Sequence, residues 1–182
     1  WNTGVKAAVG EYLCFVDADD WLETDYCEVL YNEEDADILC AKNYFVGSKK
    51  SYNINPTQFL KCNNDIRLNI LLNGCFFITN FYKRSFFERI AFNFIENNMY
   101  QDFLTVTLYF RTENVRLFDK PGYHYRVDNV SITRSMNQNG FWARLDAARI
   151  EYNAFKDIPN ATQYVEAIDI HFYYLFYRNS LI

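Results

Sequence analysis

Three carboxylates follow one short apolar stretch near the start of the chain. Residues 12–16 are apolar, aromatic or β-branched and are preceded by Gly10, which predicts a buried strand. Asp17, Asp19 and Asp20 come directly after this strand. Open α/β sheets bind their ligands at the carboxyl ends of their strands. Because acids this close repel one another unless a cation lies among them, the spacing predicts a site for Mg²⁺ or Mn²⁺.

The composition excludes several other classes of protein. The chain has 182 residues and a formal net charge of −5, which argues against nucleic-acid binding because that function needs a basic surface. Its 50% of hydrophobic and 19% of aromatic residues predict an ordered globular protein. No apolar stretch reaches the roughly 18 residues of a membrane-spanning helix. The five cysteines include no Cys-x-x-Cys pair, which indicates reduced thiols in a cytoplasmic protein.

The elements that must position the acids alternate between helices and strands. Apolar periodicity and turn residues separate them along the chain. From residue 140 onward the pattern is helical, and the last helix is aromatic on nearly every side, which is typical of a helix that is buried or meets a partner. Earlier strands are predicted over residues 37–45, 114–118 and 123–127, and earlier helices over residues 3–9, 24–32, 56–60, 65–72 and 83–90.

The acidic stretch and the residues before it resemble the family 2 glycosyltransferases, which have the GT-A fold. In that family an Asp-x-Asp element holds the metal that bridges the diphosphate of a nucleotide sugar. Asp17 and Asp19 match this element as metal ligands, and Asp20 and Trp21 match the positions that follow. The resemblance rests on Asn2-Thr3-Gly4, Ala7-Ala8, Gly10-Glu11-Tyr12-Leu13 and Phe15-Val16-Asp17-Ala18-Asp19-Asp20-Trp21.

The resemblance implies an enzyme that uses Mg²⁺ or Mn²⁺ to move a sugar from a nucleoside-diphosphate sugar to an acceptor hydroxyl with inversion. UDP-sugars are the favoured donors, and a glycan or a lipid-linked molecule is the expected acceptor. The family further implies a role in bacterial polysaccharide or glycan synthesis, in the cytoplasm or at the inner face of the membrane.

A second acid, Asp102, matches the position of the base that deprotonates the acceptor in the resembled family. The family commonly has a Glu-Asp pair there, whereas this chain has Gln101 before Asp102. Asp102 also precedes an apolar stretch that predicts a helix to about Arg111. An aspartate in that position often caps a helix, so the sequence leaves both roles open.

Two arginines and a tryptophan are the other candidates for ligand contacts. Arg126 and Arg134 could approach phosphate or acceptor oxygens, since a guanidinium group suits both, or could form ion pairs elsewhere. Trp21 could stack on a sugar ring or pack inside the protein. His124 is expected to be a packed strand residue, and His171 is expected to have a structural role.

The patterns and the resemblance together predict an α/β fold: a GT-A-like mixed sheet flanked by helices, with the first strands missing and a helical C-terminal part. We expect a partial glycosyltransferase domain with the metal and acceptor half at residues 1–135. A helical extension at residues 136–182 could mediate self-association through its aromatic helices. Because the chain begins inside the family's motif, we expect an amino-terminally truncated piece that is inactive by itself.

Two other classes of function stay open. One is a non-catalytic module that folds and associates through its aromatic helices. The other is a phosphotransferase of the haloacid dehalogenase type, which also ends its first strand in Asp-x-Asp, although Trp21 stands where that class has Thr or Val. A calcium loop is excluded, because the third oxygen ligand and the glycine of such loops are absent.

Overall fold

Eight short strands form the frame of the part of the chain that the structure describes. The computed structural model describes residues 1–32, 35–127 and 138–180. The strands are β1 (Tyr12–Cys14), β2 (Trp21–Leu22), β3 (Ile38–Ala41), β4 (Asn43–Val46), β5 (Lys49–Tyr52), β6 (Phe81–Lys83), β7 (Val115–Phe118) and β8 (Tyr123–Tyr125).

These strands make two mixed sheets of four strands each. The first sheet has the order β1-β6-β3-β7, in which β6 is antiparallel to both neighbours and β3 runs parallel to β7. The second sheet has the order β2-β8-β4-β5, in which β8 is antiparallel to β2 and parallel to β4. The predicted mixed α/β architecture is therefore confirmed, with its strands divided between two sheets.

The division occurs at Lys42, inside a stretch that the sequence predicted to be one strand. The backbone N–H of Lys42 donates to the carbonyl of Phe118 in the first sheet at 2.9 Å. Its carbonyl instead accepts from the N–H of Asn53, just past the second sheet, at 3.0 Å. The chain thus leaves one sheet and enters the other at this residue, so the expectation of a single continuous strand over residues 37–45 is wrong.

Helices flank the sheets, and two of them begin at a capping side chain. Asn55 accepts hydrogen bonds from the N–H groups of Thr57 and Gln58, and Asp65 caps the next helix in the same way. In the described residues no helix has the length and apolar character needed to cross a membrane. The α-helices are α1 (Asn2–Ala7), α2 (Val29–Asn32), α3 (Pro56–Lys61), α4 (Ile66–Asn73), α5 (Arg84–Arg89), α6 (Gln138–Phe155) and α7 (Val165–Ser180). Tighter 3₁₀ helices are Tyr26–Glu28, Phe77–Thr79, Phe103–Phe110 and Pro159–Tyr164.

An aromatic core anchors the strand that leads to the acids. The ring of Phe15 lies 5.3 Å from the rings of Phe77 and Phe94 and 5.8 Å from that of Trp1. Aromatic pairs at these separations attract one another beyond the effect of burial alone. The side-chain amide of Asn2 adds two hydrogen bonds to the backbone of Phe94, at 2.8 and 3.1 Å. The start of the chain and the end of β1 are thereby fixed to the same core.

The last two α-helices pack on α4 and on the 3₁₀ helix Phe103–Phe110. Phe110 meets Phe155 and Tyr164 edge to face, with ring centroids 5.1 and 5.2 Å apart. The hydroxyl of Tyr164 donates to the carboxylate of Asp65 at 2.7 Å. The helical C-terminal part therefore contributes side chains to the same core as the elements before it.

A buried charged pair joins α6, α7 and α4. The Nδ1–H of His171 donates to the carbonyl of Leu71 at 2.8 Å, and its Nε2 lies 2.9 Å from Oε1 of Glu151. Burial raises the pKa of Glu151. Burial acts to lower the pKa of His171, but the hydrogen bond and the charge of Glu151 outweigh it, so this pKa is raised. The predicted structural role of His171 is confirmed.

We expect the variant Gly122→Ala to lose about 1–3 kcal/mol of unfolding free energy. A Cβ at this position would lie 2.2 Å from Cδ2 of Tyr26, whose ring is fully buried and cannot move aside. Urea unfolding measures the loss. Gly4→Ala is the control, because a Cβ in helix α1 meets no atom within 4 Å, and it should be neutral or slightly stabilising. Equal stability of the two variants would contradict this packing.

We also expect the unfolding free energy to fall as the pH rises from about 6.5, the ordinary pKa of histidine, through the raised pKa of folded His171. In that window the folded chain binds more protons than the unfolded chain, so stability decreases with pH; below it, the contribution of His171 is fully present. Urea unfolding at a series of pH values tests this in the wild type and in His171→Gln. The variant cannot titrate here and should lack this part of the dependence; superimposable profiles would refute it.

Candidate active site

The acids that follow β1 form a tight turn. The N–H of Asp20 donates to the carbonyl of Asp17 at 3.1 Å, which closes a four-residue β-turn. Asp17 and Asp20 are half-buried, whereas Asp19 at the tip of the turn is exposed. One short turn therefore presents carboxylates at the end of a core strand, as the sequence predicted.

Strand β8 holds this turn in place. The hydroxyl of Tyr123 donates to Oδ2 of Asp20 at 2.5 Å and accepts from the N–H of Asp17 at 3.3 Å. The N–H of Arg126 donates to Oδ1 of Asp20 at 2.8 Å. Both carboxylate oxygens of Asp20 are thus engaged by the protein, whereas among the described residues no hydrogen-bond partner engages the carboxylates of Asp17 and Asp19. Sequence reasoning missed Tyr123, because nothing in its local pattern distinguishes it from a core aromatic residue.

The crowding of negative charge has a direct electrostatic consequence. The pKa of Asp17 is raised to about 6, most of all by burial and then by the charges of Asp20, Asp19 and Asp102, in that order of effect. Nearby negative charges disfavour the ionised form of a carboxyl group and so raise its pKa. Asp102 is far from the turn in sequence, yet its charge contributes to this rise.

Asp102 stands at the start of the 3₁₀ helix Phe103–Phe110, where the sequence predicted a helix to begin. Its side chain makes no capping hydrogen bond; its carbonyl accepts from the N–H and Oγ1 of Thr105 instead, at 2.9 and 2.6 Å. The carboxylate is therefore not used as a helix cap. Burial raises the pKa of Asp102, and the charge of Arg144 partly opposes this rise.

Helix α6 covers the segment that carries Asp102. The guanidinium carbon of Arg144 lies 5.5 Å from the ring centroid of Tyr100 and 5.9 Å from that of Phe103. The side chain of Asn98 donates to the carbonyl of Ala143 at 2.8 Å and also accepts from the N–H of Tyr100. These contacts fix the residues on both sides of Asp102 against the helix. Arg144 was not among the residues that the sequence indicated.

The other residues that the sequence indicated differ in their contacts with the turn. Arg126 reaches Asp20 through its backbone N–H, and its side chain is exposed. Arg134 lies outside the described residues. The indole of Trp21 is 47% exposed and stacks on the imidazole of His124 with centroids 4.9 Å apart. His124 is thus packed within its sheet, as predicted.

The carboxylates of the turn have the donor chemistry of a magnesium-type site. Within the described ranges, no three or more His, Cys, Asp and Glu side chains are grouped so that they could hold a metal ion by themselves. A pair of carboxylates nevertheless suits Mg²⁺, which is commonly held by one or two protein carboxylates together with substrate phosphates. The raised pKa of Asp17, caused first by burial and then by the charges of its acidic neighbours, is compatible with such a pair formed with Asp19.

Comparison with known proteins places the chain in a family. The sequence pattern of Glycosyl transferase family 2 matches residues 1–91. This match covers half of the chain and includes the acidic turn. The chain therefore belongs to the family 2 glycosyltransferases, and the resemblance noted in its sequence is confirmed.

Two bacterial proteins are similar over most of the chain. The glycosyltransferase GlyA of Streptococcus pneumoniae is 28% identical over 166 residues, which are 80% of this chain and 23% of GlyA. EpsH of Bacillus subtilis is 30% identical over 166 residues, which are 84% of this chain and 47% of EpsH. The chain thus spans less than half the length of either relative.

Solved structures share the fold. The crystal structure of residues 1–349 of S. aureus TarS in complex with UDP-GlcNAc superposes with a TM-score of 0.61 and 18% sequence identity, over 83% of this chain and 45% of that one. Full TarS gives a TM-score of 0.62 at 17% identity, over 87% of this chain and 27% of TarS. The fold is therefore GT-A-like.

We expect Tyr123→Phe to reduce the unfolding free energy by about 1–3 kcal/mol, because the half-buried Asp20 loses a hydrogen bond to its charged group. Urea unfolding measures the difference. Tyr125→Phe on the same strand is the matched control, since in the described residues its hydroxyl makes no hydrogen bond, and this variant should match the wild type. A loss that is equal in both variants would show that Tyr123 does not secure the turn.

Proposed function

We propose that this chain is part of a glycosyltransferase that moves a sugar from a nucleoside-diphosphate sugar to an acceptor hydroxyl, with inversion at the anomeric carbon. The observation that carries the proposal is the match of residues 1–91, which include the acidic turn, to Glycosyl transferase family 2. The charge of Asp102 also contributes to the raised pKa of Asp17 in that turn. Membership of the family favours sugar transfer over the phosphotransferase and the non-catalytic alternatives.

The donor lies at the acidic turn in this proposal. Asp17 and Asp19 would hold Mg²⁺ or Mn²⁺ beside the donor diphosphate. When bound, the cation supplies positive charge that stabilises the departing diphosphate. The raised pKa of Asp17 supports this role, since burial and then the charges of Asp20 and Asp19 disfavour its ionised form, which a bound cation would stabilise. The UDP-GlcNAc complex of TarS supports a UDP-sugar as the class of donor.

Asp102 acts as the base toward the acceptor. Burial raises its pKa toward the range that is useful for proton transfer near neutral pH, and its side chain is not used to cap the helix. The acceptor oxygen attacks the anomeric carbon on the face opposite the diphosphate, and its proton passes to Asp102. The electron pair of the broken carbon–oxygen bond leaves with the diphosphate.

The other site residues complete the proposal. Asp20 fixes the turn for donor binding through Tyr123, and the exposed guanidinium of Arg126 contacts phosphate or acceptor oxygens. The same role is proposed for Arg134. Since both curated relatives come from bacteria, we propose that the product is a bacterial polysaccharide or a related glycan.

The proposal is tested first by titrating the chain with UDP in the presence and absence of Mn²⁺. We expect binding that requires the metal and that weakens at least about tenfold, about 1.4 kcal/mol, in Asp17→Asn and in Asp19→Asn. Asp157→Asn, which makes the same change at an exposed position just after helix α6, should bind like the wild type. Should the wild type not bind, the titration is repeated on a chain extended at its amino end. Equal binding of UDP by all variants, or no binding of UDP by the longer chain, would refute the proposed donor site.

The base is tested by the variant Asp102→Asn in the longer chain. This variant should still bind UDP and Mn²⁺, because Asp102 contacts the acceptor side only, and it should lose sugar transfer by about two orders of magnitude or more. Transfer is measured as UDP release with a screen of UDP-sugars and glycan acceptors. Transfer at the wild-type rate by Asp102→Asn would show that another group takes the proton.

A further inference from the structure

Three aromatic rings stack in a row across the second sheet. Trp21 on β2 and Phe45 on β4 are both in register with His124 on β8. The ring centroids of Trp21 and His124 are 4.9 Å apart and inclined by 10°, and those of His124 and Phe45 are 4.5 Å apart and inclined by 16°. These separations follow the spacing of neighbouring strands. The rings therefore stand on one face of the sheet and cover one another face to face.

Trp21 is the outer end of this row. Strand β2 is the edge strand of its sheet, so His124 covers one face of the indole, and no further strand of the described residues covers the other. The indole remains 47% exposed although it is a large apolar group. An exposed flat aromatic face at the rim of a site can receive another flat or partly apolar ring.

Hydrogen bonds keep the indole in this position before any ligand arrives. Nε2 of His124 lies 2.7 Å from Oε1 of Glu23, and the N–H of Glu23 donates to the carbonyl of Gly122 at 2.8 Å. On the other side of Trp21, Asp20 is bound to Tyr123. The residues on either side of the indole are thus both tied to the neighbouring strand. A preorganised surface of this kind loses little conformational entropy on binding.

The chemistry around the indole favours a neutral sugar ring. A pyranose presents an apolar C–H face that can lie on the indole, and its hydroxyl groups can donate to a carboxylate such as that of Glu23, which is half-exposed. A phosphate group placed at the indole itself would lie close to the carboxylate of Glu23, where like charges repel. The carbohydrate acceptor, which is uncharged at the reacting hydroxyl, suits this position better than the donor nucleotide.

We propose that Trp21 is the stacking platform for a sugar ring of a carbohydrate acceptor, and that His124 and Glu23 are the residues that position it. This inference rests on the proposed glycosyl transfer, because it assigns the acceptor side of that reaction. It extends the site along β2, away from the carboxylates of Asp17 and Asp19.

The test follows the indole N–H signals of the ¹⁵N-tryptophan-labelled chain by NMR. The chain has three tryptophans, and Trp21→Phe identifies the signal of Trp21. We titrate with the methyl β-glycosides of glucose, galactose and N-acetylglucosamine. At least one of them should move the Trp21 signal in a saturable manner. The signal of Trp142, which is 57% exposed on α6, is the internal control and should not move.

Glu23→Gln should weaken the binding of that glycoside by about tenfold, because it removes the charged acceptor and loosens His124. Asp157→Asn should leave it unchanged. The inference is overturned if no glycoside shifts the Trp21 signal even at concentrations well above millimolar, or if the Trp142 signal shifts equally. It is also overturned if saturating UDP with Mg²⁺ displaces the glycoside. If the chain binds the glycoside but does not bind UDP, the proposed donor site is refuted and the stacking role of Trp21 is supported.

Discussion

The site depends on one constraint: carboxylates of like charge must be held together in a single turn. This arrangement is unfavourable, because like charges disfavour ionisation of one another. Tyr123 and the backbone of Arg126 bind both oxygens of Asp20, so the turn keeps its shape. Among the described residues, no such partner engages the carboxylates of Asp17 and Asp19. The position of β8 is therefore the central requirement of the fold.

The two-sheet architecture meets this requirement. Strand β7 lies in the first sheet beside β3, and the chain then turns through Gly122 into β8 of the second sheet, where it meets the acidic turn. Gly122 packs so tightly on Tyr26 that a side chain has no room. The neighbouring part of the chain changes sheets in the same way at Lys42, where β3 beside β7 is followed by β4 beside β8. The acids lie where the two sheets adjoin, with the aromatic core beneath β1 as a rigid base.

The helical C-terminal part is involved in the site as well as in the core. Helix α6 places Arg144 over the rings that flank Asp102 and close enough to lower the pKa of that acid, while burial raises it. Behind them, Glu151 and His171 form a buried pair that joins α6 to α7. The surroundings of Asp102 thus come from segments on both sides of it in the chain, which is why its environment cannot be read from its immediate neighbours.

The sequence by itself determined the acidic turn, the strand before it, the helices capped by Asn55 and Asp65, and the family. All of these depend on residues within a few positions of one another, where periodicity, capping and motif spacing act. Only the tertiary structure decided that the charge of Asp102 acts on Asp17, that Tyr123 secures the turn, and that the strand over residues 37–45 is divided at Lys42. These features join residues that are far apart along the chain through strand register and side-chain packing, and no local pattern encodes which distant partners will meet.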